Sequence, residues 1–258
     1  MFYKGHSLQA RRESSAALKV FEELVASFPD QPQASEAKFL IGELYYGEER
    51  YERALAWYER VFGVHRDSKD APEALYGAAW CQLELGRIEP MSDLLLRLAR
   101  DYPQHERAQQ GLMHMGDYYY NGRQLPQASR FYEQVVERYP ETAEAGQARQ
   151  LLAHIADAEA DSLYRAGMAL YDEGEFTRAI TVLEEVIARF PDTHSEAAAR
   201  CNVGVAYTQM KDWPQAAKAF ESAMATLEER DREWRAFEFA RSSRETIGRT
   251  YLGEVAAK

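Results

Sequence analysis

The chain has 258 residues, 46% of them hydrophobic and 28% charged, which is enough apolar content for one large domain or two small ones. Its formal charge of −11 argues against nucleic acid and anionic membrane as main partners, since both need basic surface. Two cysteines, Cys81 and Cys201, exclude a disulfide framework. No apolar run approaches the ~18 residues of a membrane span.

One pattern recurs along the chain. A small residue stands at an anchor, a bulky one at anchor +3, a small one at +12, a bulky one at +16 and an apolar one at +19. The anchors are Gly5, Gly42, Ala79, Gly116, Gly167 and Gly204, spaced 37, 37, 37, 51 and 37 residues apart. Each period reads as two helices joined by a short polar turn, with apolar residues at i, i+3, i+4 and i+7 in both.

In chain order, the first repeat enters in mid-helix around Gly5. At full length it would start before Met1, so a trimmed repeat or a piece of a longer protein is expected. Its second helix carries Ala17, Phe21 and Leu24 and stops at Phe28-Pro29. The second repeat pairs a helix over Glu36–Tyr46 with one over Tyr51–Phe62, which holds Ala54, Tyr58 and Val61. In the third, Pro72 opens the first helix, Pro90 opens the second, and Met91, Leu95 and Leu98 fill the columns. The fourth has Ala128, Tyr132 and Val135 after Pro126 and closes at Tyr139-Pro140.

The 51-residue spacing that follows is an insert of fourteen residues, close to four helical turns at 3.6 residues each. Such an insert, near 143–160, lengthens a helix without turning its apolar face. One long helix over 143–173 is expected, with two helices kinked near Ala156-Asp157 as the alternative. The fifth repeat holds Ala179, Leu183 and Val186, and the sixth holds Ala216, Phe220 and Ala223. A last helix over 234–258, with Arg235, Arg241, Arg244, Arg249 and Lys258 among Phe237, Phe239, Ile247, Tyr251 and Leu252, reads as a cap with a polar outer face. The start of a further repeat is the other reading of it.

The anchor is small because two helices cross there, and the +16 residue fills the groove beside it. One hairpin cannot bury its own apolar face, whereas a stack can. The expected fold is therefore all-α: a right-handed α-solenoid of six stacked helix-turn-helix repeats over 1–233. No sustained alternation or Asn-Gly turn signals a strand.

The combination of anchor, aromatic, Ala, aromatic and Pro over residues 1–233 resembles the tetratricopeptide repeat family, whose usual period is 34 residues. The three extra residues fall in the inter-repeat loops, around Pro29–Gln33 and Pro140–Thr142. That longer form resembles a bacterial cell-envelope subgroup, which includes the lipoprotein of the outer-membrane β-barrel assembly machinery and the Tol–Pal-associated coordinator of envelope constriction. The resemblance implies a periplasmic setting; the residues themselves leave the cytoplasm equally open.

By the same resemblance, the first helices line a concave face through anchor positions −3, +1, +4 and +5. These positions give a groove of Phe39, Glu43 and Tyr46, then Tyr76 and Trp80, then Met113, Asp117 and Tyr120, then Tyr164, Met168, Tyr171 and Asp172. Aromatics supply large contact area at low entropic cost, and Met adapts to irregular partners. The acids favour a protein or peptide partner with basic and apolar residues. Packing between repeats is the competing use of the same residues. Family members that clamp chaperone tails hold a C-terminal carboxylate with Lys, Arg and Asn on their first helices. Here those faces offer Phe39, Glu43, Tyr76, Trp80 and Asp117, which have no basic fork for a carboxylate.

Catalytic motifs are absent from the sequence. There is no phosphate-binding Gly-rich loop, no Gly-x-Ser-x-Gly elbow and no His-Glu-x-x-His. Six scattered histidines and two distant cysteines give no metal spacing, and no cofactor is implied. The expected function is a non-enzymatic interaction scaffold. The alternatives are a solenoid that self-associates through its ends and an interaction domain of a larger protein.

Overall fold

Apolar residues at helical spacing, broken by turn residues and helix-opening prolines, produce only helices among the described residues. The structure, a computed structural model, describes residues 1–29, 31–230 and 239–247. In order, the helices are α1 (Phe2–Ala10), α2 (Ser14–Ser27), α3 (Pro32–Gly47), α4 (Tyr51–Val64), α5 (Ala71–Glu84) and α6 (Ile88–Asp101). They continue with α7 (Glu106–Asn121), α8 (Leu125–Arg138), α9 (Ala143–Asp172), α10 (Phe176–Arg189), α11 (His194–Gln209) and α12 (Trp213–Arg230). Residues 239–247 are also helical. Pro32, Pro72 and Pro126 occupy the first helical turn, where a missing N–H costs nothing.

The turn inside each repeat is built the same way six times. Seven residues after the anchor stand Arg12, Glu49, Gly86, Arg123, Gly174 and Lys211, all with φ between +57° and +80°. In the second repeat the Glu49 N–H donates to the Tyr46 carbonyl and the Arg50 N–H to the Tyr45 carbonyl, both at 2.9 Å. This Schellman pair satisfies the last carbonyls of the first helix and reverses the chain. Four of the six left-handed positions carry a side chain, at a cost of about 1–2 kcal/mol each relative to the right-handed region.

The second helix then returns against the anchor. Phe21, Tyr58, Tyr132 and Leu183 are fully buried, and Leu95 and Phe220 are 1% exposed. A Cβ placed on Gly42 would lie 2.7 Å from Tyr58 Cδ1, and one on Gly204 2.7 Å from Phe220 Cζ. The glycine is therefore required by the ring it faces. Where the +16 residue is Leu95 the anchor is Ala79, and both are buried. Tyr58 is also closed from the next repeat, because a Cβ on Gly77 would lie 2.8 Å from its Cζ. Each buried aromatic or Leu of this column contributes about 1.5–3 kcal/mol of hydrophobic stabilisation.

The chain divides into two compact units, Met1–Arg149 and Gln150–Lys258. In the first, consecutive helices from α1 to α8 pack in sequence order, and the first helices of neighbouring repeats meet, α3 with α5 and α5 with α7. This is an α-solenoid arrangement of stacked hairpins. The second unit has one core around Ile180, Leu183, Val186 and Val203 and another around Cys201, Phe220 and Ala223.

The stretch carrying the insert is a single helix, α9, of thirty residues. Within the expected C-terminal cap, Ala240 and Ile247 are buried in the core that holds Phe220. Residues 234–238 and 248–258 of that cap, with Arg235, Phe237, Arg249, Tyr251, Leu252 and Lys258, lie outside the described residues. Among the described residues no helix is long and apolar enough to cross a membrane.

Candidate functional site

In the first unit, the −3, +1 and +4 positions of α3 and α5 converge. Phe39, Glu43 and Tyr46 from α3 face Tyr76 and Trp80 from α5 across an open cavity of about 310 Å³, which Glu73 and Arg107 also line. The four aromatics are half-buried and Glu43 is exposed. The walls are ordered by ring contacts. Tyr76 and Trp80 meet edge-on at 5.9 Å, Trp80 meets His114 of α7 at 5.3 Å, and Tyr46 meets Tyr51 at 5.4 Å. Burial pushes the Tyr46 hydroxyl up from its ordinary range, and the nearby Glu84 carboxylate adds to the effect.

Two acids on this face have internal partners. The Tyr58 hydroxyl donates to Glu43, and the Tyr132 hydroxyl donates to Asp117 at 2.8 Å. Both tyrosine rings are fully buried, so each hydroxyl needs an acceptor at the groove floor. Burial, reinforced by the carboxylate beside each, raises both phenols far above their ordinary value of 10.0. Glu43 and Asp117 thus each accept a core hydroxyl through one carboxylate oxygen.

The remaining sites fall out differently. Met113 is 6% exposed, so it offers no surface to a partner and drops out of the groove. A flexible thioether can turn inward and fill packing space. Tyr120 is half-buried, its ring 6.5 Å from Tyr132. In the second unit, Tyr164, Met168 and Tyr171 pack partly buried against the Leu183 core. The Tyr164 hydroxyl accepts from Asn202 Nδ2 at 2.7 Å, and Tyr171 meets Phe176 at 5.3 Å. Asp172 is exposed. The set from Phe39 to Trp80 thus shares one cavity, whereas Tyr164, Met168 and Tyr171 of the second unit pack against a separate core and Asp172 stands outside it.

Sequence reasoning missed Glu73, Arg107, Gln110 and His114. The first two lie in the opening turns of α5 and α7, upstream of the −3 position, where no repeat column signals a role. Arg107 Nε donates to both Glu73 oxygens at 3.2 and 3.0 Å, and its Nη1 donates to Gln110 Oε1 at 2.9 Å. Its Cζ lies 4.8 Å from the centre of the Tyr76 ring. Cys81 and Cys201 are buried, and burial pushes their thiols up to about 12 and about 11. They behave as small apolar residues, not nucleophiles. Among the described residues no group of His, Cys, Asp and Glu could hold a metal ion.

Stacked helical hairpins with a glycine-against-ring crossing and an open aromatic face define a helical-repeat scaffold. Tetratricopeptide repeat profiles match residues 4–62, 73–105, 110–142 and 158–229. The chain belongs to the tetratricopeptide repeat family. No curated protein matches it.

Solved structures of similar fold include a tetratricopeptide repeat protein from Parabacteroides merdae, 15% identical over 95% of this chain and 96% of that one, with a TM-score of 0.47. The C-terminal part of a TPR repeat-containing protein from Cytophaga hutchinsonii is 16% identical over 88% and 79%, at 0.44. The TPR2AB domain of yeast Sti1, in its pHSP90 complex, is 17% identical over 88% and 87%, at 0.41.

Proposed function

We propose that the chain is a non-enzymatic interaction scaffold whose first-helix face takes a peptide or protein segment bearing apolar and basic residues. The observation that carries this reading is the open cavity of about 310 Å³ between Phe39, Tyr46, Tyr76 and Trp80. Large aromatic faces left half-exposed beside carboxylates are surfaces whose burial by a partner gives both area and charge complementarity. In the second unit, considered by itself, Tyr164, Met168 and Tyr171, partly buried against its core, and the exposed Asp172 form a second candidate contact surface. By the resemblance of its longer repeats to the cell-envelope subgroup, the setting we propose is a bacterial cell-envelope complex.

The test is selection from a displayed random-peptide library on the full chain, with Trp80→Ala run beside it. Enriched peptides should combine an aromatic or aliphatic residue with Lys or Arg. They should lose at least tenfold in affinity on the variant while its far-UV circular dichroism stays unchanged, as expected of an anchor worth about 1.4 kcal/mol or more. Enrichment of acidic peptides, or indifference to Trp80, would sink the reading.

A second reading, self-association through the face of the first repeat, is favoured by Tyr3 and Phe28, 86% and 49% exposed. Sedimentation across a concentration range separates the two, because a plain peptide-binding scaffold stays monomeric.

A further inference from the structure

Arg50 and Arg97 each pair an aromatic face with a carboxylate; Arg107 adds an amide partner and lines the groove cavity. Its guanidinium lies over the Tyr76 ring, its Nε is shared by both Glu73 oxygens, and its Nη1 reaches Gln110 Oε1. The Gln110 amide is oriented for this task, since its Nε2 donates to Glu106 Oε1 at 2.5 Å and so turns its oxygen toward Arg107. An aromatic face, a carboxylate and an amide oxygen together match the planar fork of a guanidinium.

One repeat earlier the corresponding carboxylate, Glu36, is met at 3.2 Å by Lys69, which is 77% exposed. Lys69 reaches that carboxylate, itself 30% exposed, from the solvent side. The Arg107 pair, 39% and 35% exposed, is set into the wall of the groove cavity. Both pairs join neighbouring repeats; the Arg107 pair differs in lining the cavity, over the Tyr76 ring and beside Gln110.

We infer that Glu73, Tyr76 and Gln110 form a guanidinium-reading subsite, that Arg107 of the chain fills it when no partner is bound, and that an arginine side chain of the partner takes its place. The inference rests on the first-helix face being the binding surface and names the side chain which that face selects. Exchange is open to the molecule because a half-exposed ion pair is held weakly, and an incoming guanidinium reproduces each contact that Arg107 gives up. Glu43, across the same cavity, keeps the local charge negative during the exchange. Lysine, a compact ammonium without the planar fork, satisfies the carboxylate but neither stacks as well nor reaches the amide.

The experiment titrates N-acetyl-arginine amide and N-acetyl-lysine amide into the full chain and its variants, followed by NMR on the Tyr76 and Trp80 rings. With the site taken as filled about four-fifths of the time by its own side chain, an outside ligand binds about fivefold more weakly. Arg107→Ala should therefore bind the arginine amide about fivefold more tightly than wild type, and more tightly than it binds the lysine amide. Adding Glu73→Gln should abolish the gain. Arg107→Gln, which keeps a side chain over Tyr76 without charge, serves if alanine loosens α7.

Equal binding by wild type and both Arg107 variants, or a gain that survives Glu73→Gln, would overturn the inference. If Trp80→Ala loses the selected peptides while the Arg107 variants change nothing, the scaffold stands and the arginine subsite falls. If Trp80→Ala loses nothing, the scaffold reading itself has failed.

Discussion

The crossing of α7 and α8 allows the packing rule of the repeat to be tested at one atom. A Cβ on Gly116 would lie 2.6 Å from Tyr132 Cδ1 and 2.9 Å from its Cζ. The ring is fully buried and its hydroxyl is tied to Asp117, so it has no free direction in which to retreat. Gly116→Ala gains about 1 kcal/mol of helix propensity but incurs overpacking of about 1–3 kcal/mol. With the ring so confined the upper end applies, for a net loss of about 1–2 kcal/mol.

In a chain of this size a loss of that order lowers Tm by roughly 2–8 °C. The third repeat shows the cure, since its anchor is Ala79 and its +16 residue Leu95, and both are buried. Gly116→Ala combined with Tyr132→Leu should therefore be less destabilised than the two single changes summed, by at least about 1 kcal/mol of coupling. Urea unfolding by circular dichroism gives the energies. Hydrogen exchange of α7 and α8 amides places the effect, because repeat arrays lose stability locally. Additive effects, or a Gly116→Ala chain more stable than wild type, would refute the account of the anchor column.

The same structure makes four shorter predictions. Glu49→Gly and Arg123→Gly, both at φ near +58°, should each stabilise by up to about 1 kcal/mol, while Gly174→Ala should cost about as much; thermal melts check all three. Burial and carboxylate acceptors hold Tyr58 and Tyr132 neutral well above 10.0. Their stabilisation is therefore full below about pH 10 and falls as pH rises through the folded values, and Tyr132→Phe should flatten that alkaline fall in urea midpoints. Cys81 and Cys201, with thiols raised to about 12 and about 11, should resist a thiol-reactive dye at pH 8 until the chain is unfolded. Tyr58→Phe frees the Glu43 carboxylate, so basic peptides selected on the first-helix face should bind the variant more tightly than wild type; unchanged binding would assign Glu43 a purely internal role.

Much of the fold is legible because each column obeys one steric rule repeated six times. The residues at +12, +16 and +19, from Ala17, Phe21 and Leu24 to Ala216, Phe220 and Ala223, are all buried, as the small–bulky–apolar order requires. The left-handed turn positions were not legible, since Arg12, Glu49, Arg123 and Lys211 carry none of the glycine signal that marks Gly86 and Gly174. There the Schellman bonds and the packing of both helices override local preference. The site was half legible. Phe39, Tyr46, Tyr76 and Trp80 share a cavity, but Met113 occupies the same column position and is buried. Arg107 and Glu73 meet across 34 residues through side-chain length, which no periodicity records.

The acids of the groove floor carry a further lesson, visible when two columns are read together. Along +1 stand His6, Glu43, Trp80, Asp117, Met168 and Val205, and along +16 stand Phe21, Tyr58, Leu95, Tyr132, Leu183 and Phe220. A carboxylate occurs at +1 only in the two repeats with a tyrosine at +16, and in both the hydroxyl donates to it. Where the +16 side chain has no hydroxyl, the +1 residue is a ring or an aliphatic, as with His6 set edge-on to Phe21 at 5.8 Å. The pairing follows from satisfaction. A tyrosine driven to full burial by the anchor crossing must find an acceptor, and here it is the carboxylate of the residue next to the anchor glycine. Glu43 and Asp117 thus answer the core first, and under the proposed function a partner would meet only the oxygen the core leaves free. Glu73 has no buried hydroxyl to answer and instead faces a guanidinium, which makes it the carboxylate of this face whose partner can be exchanged.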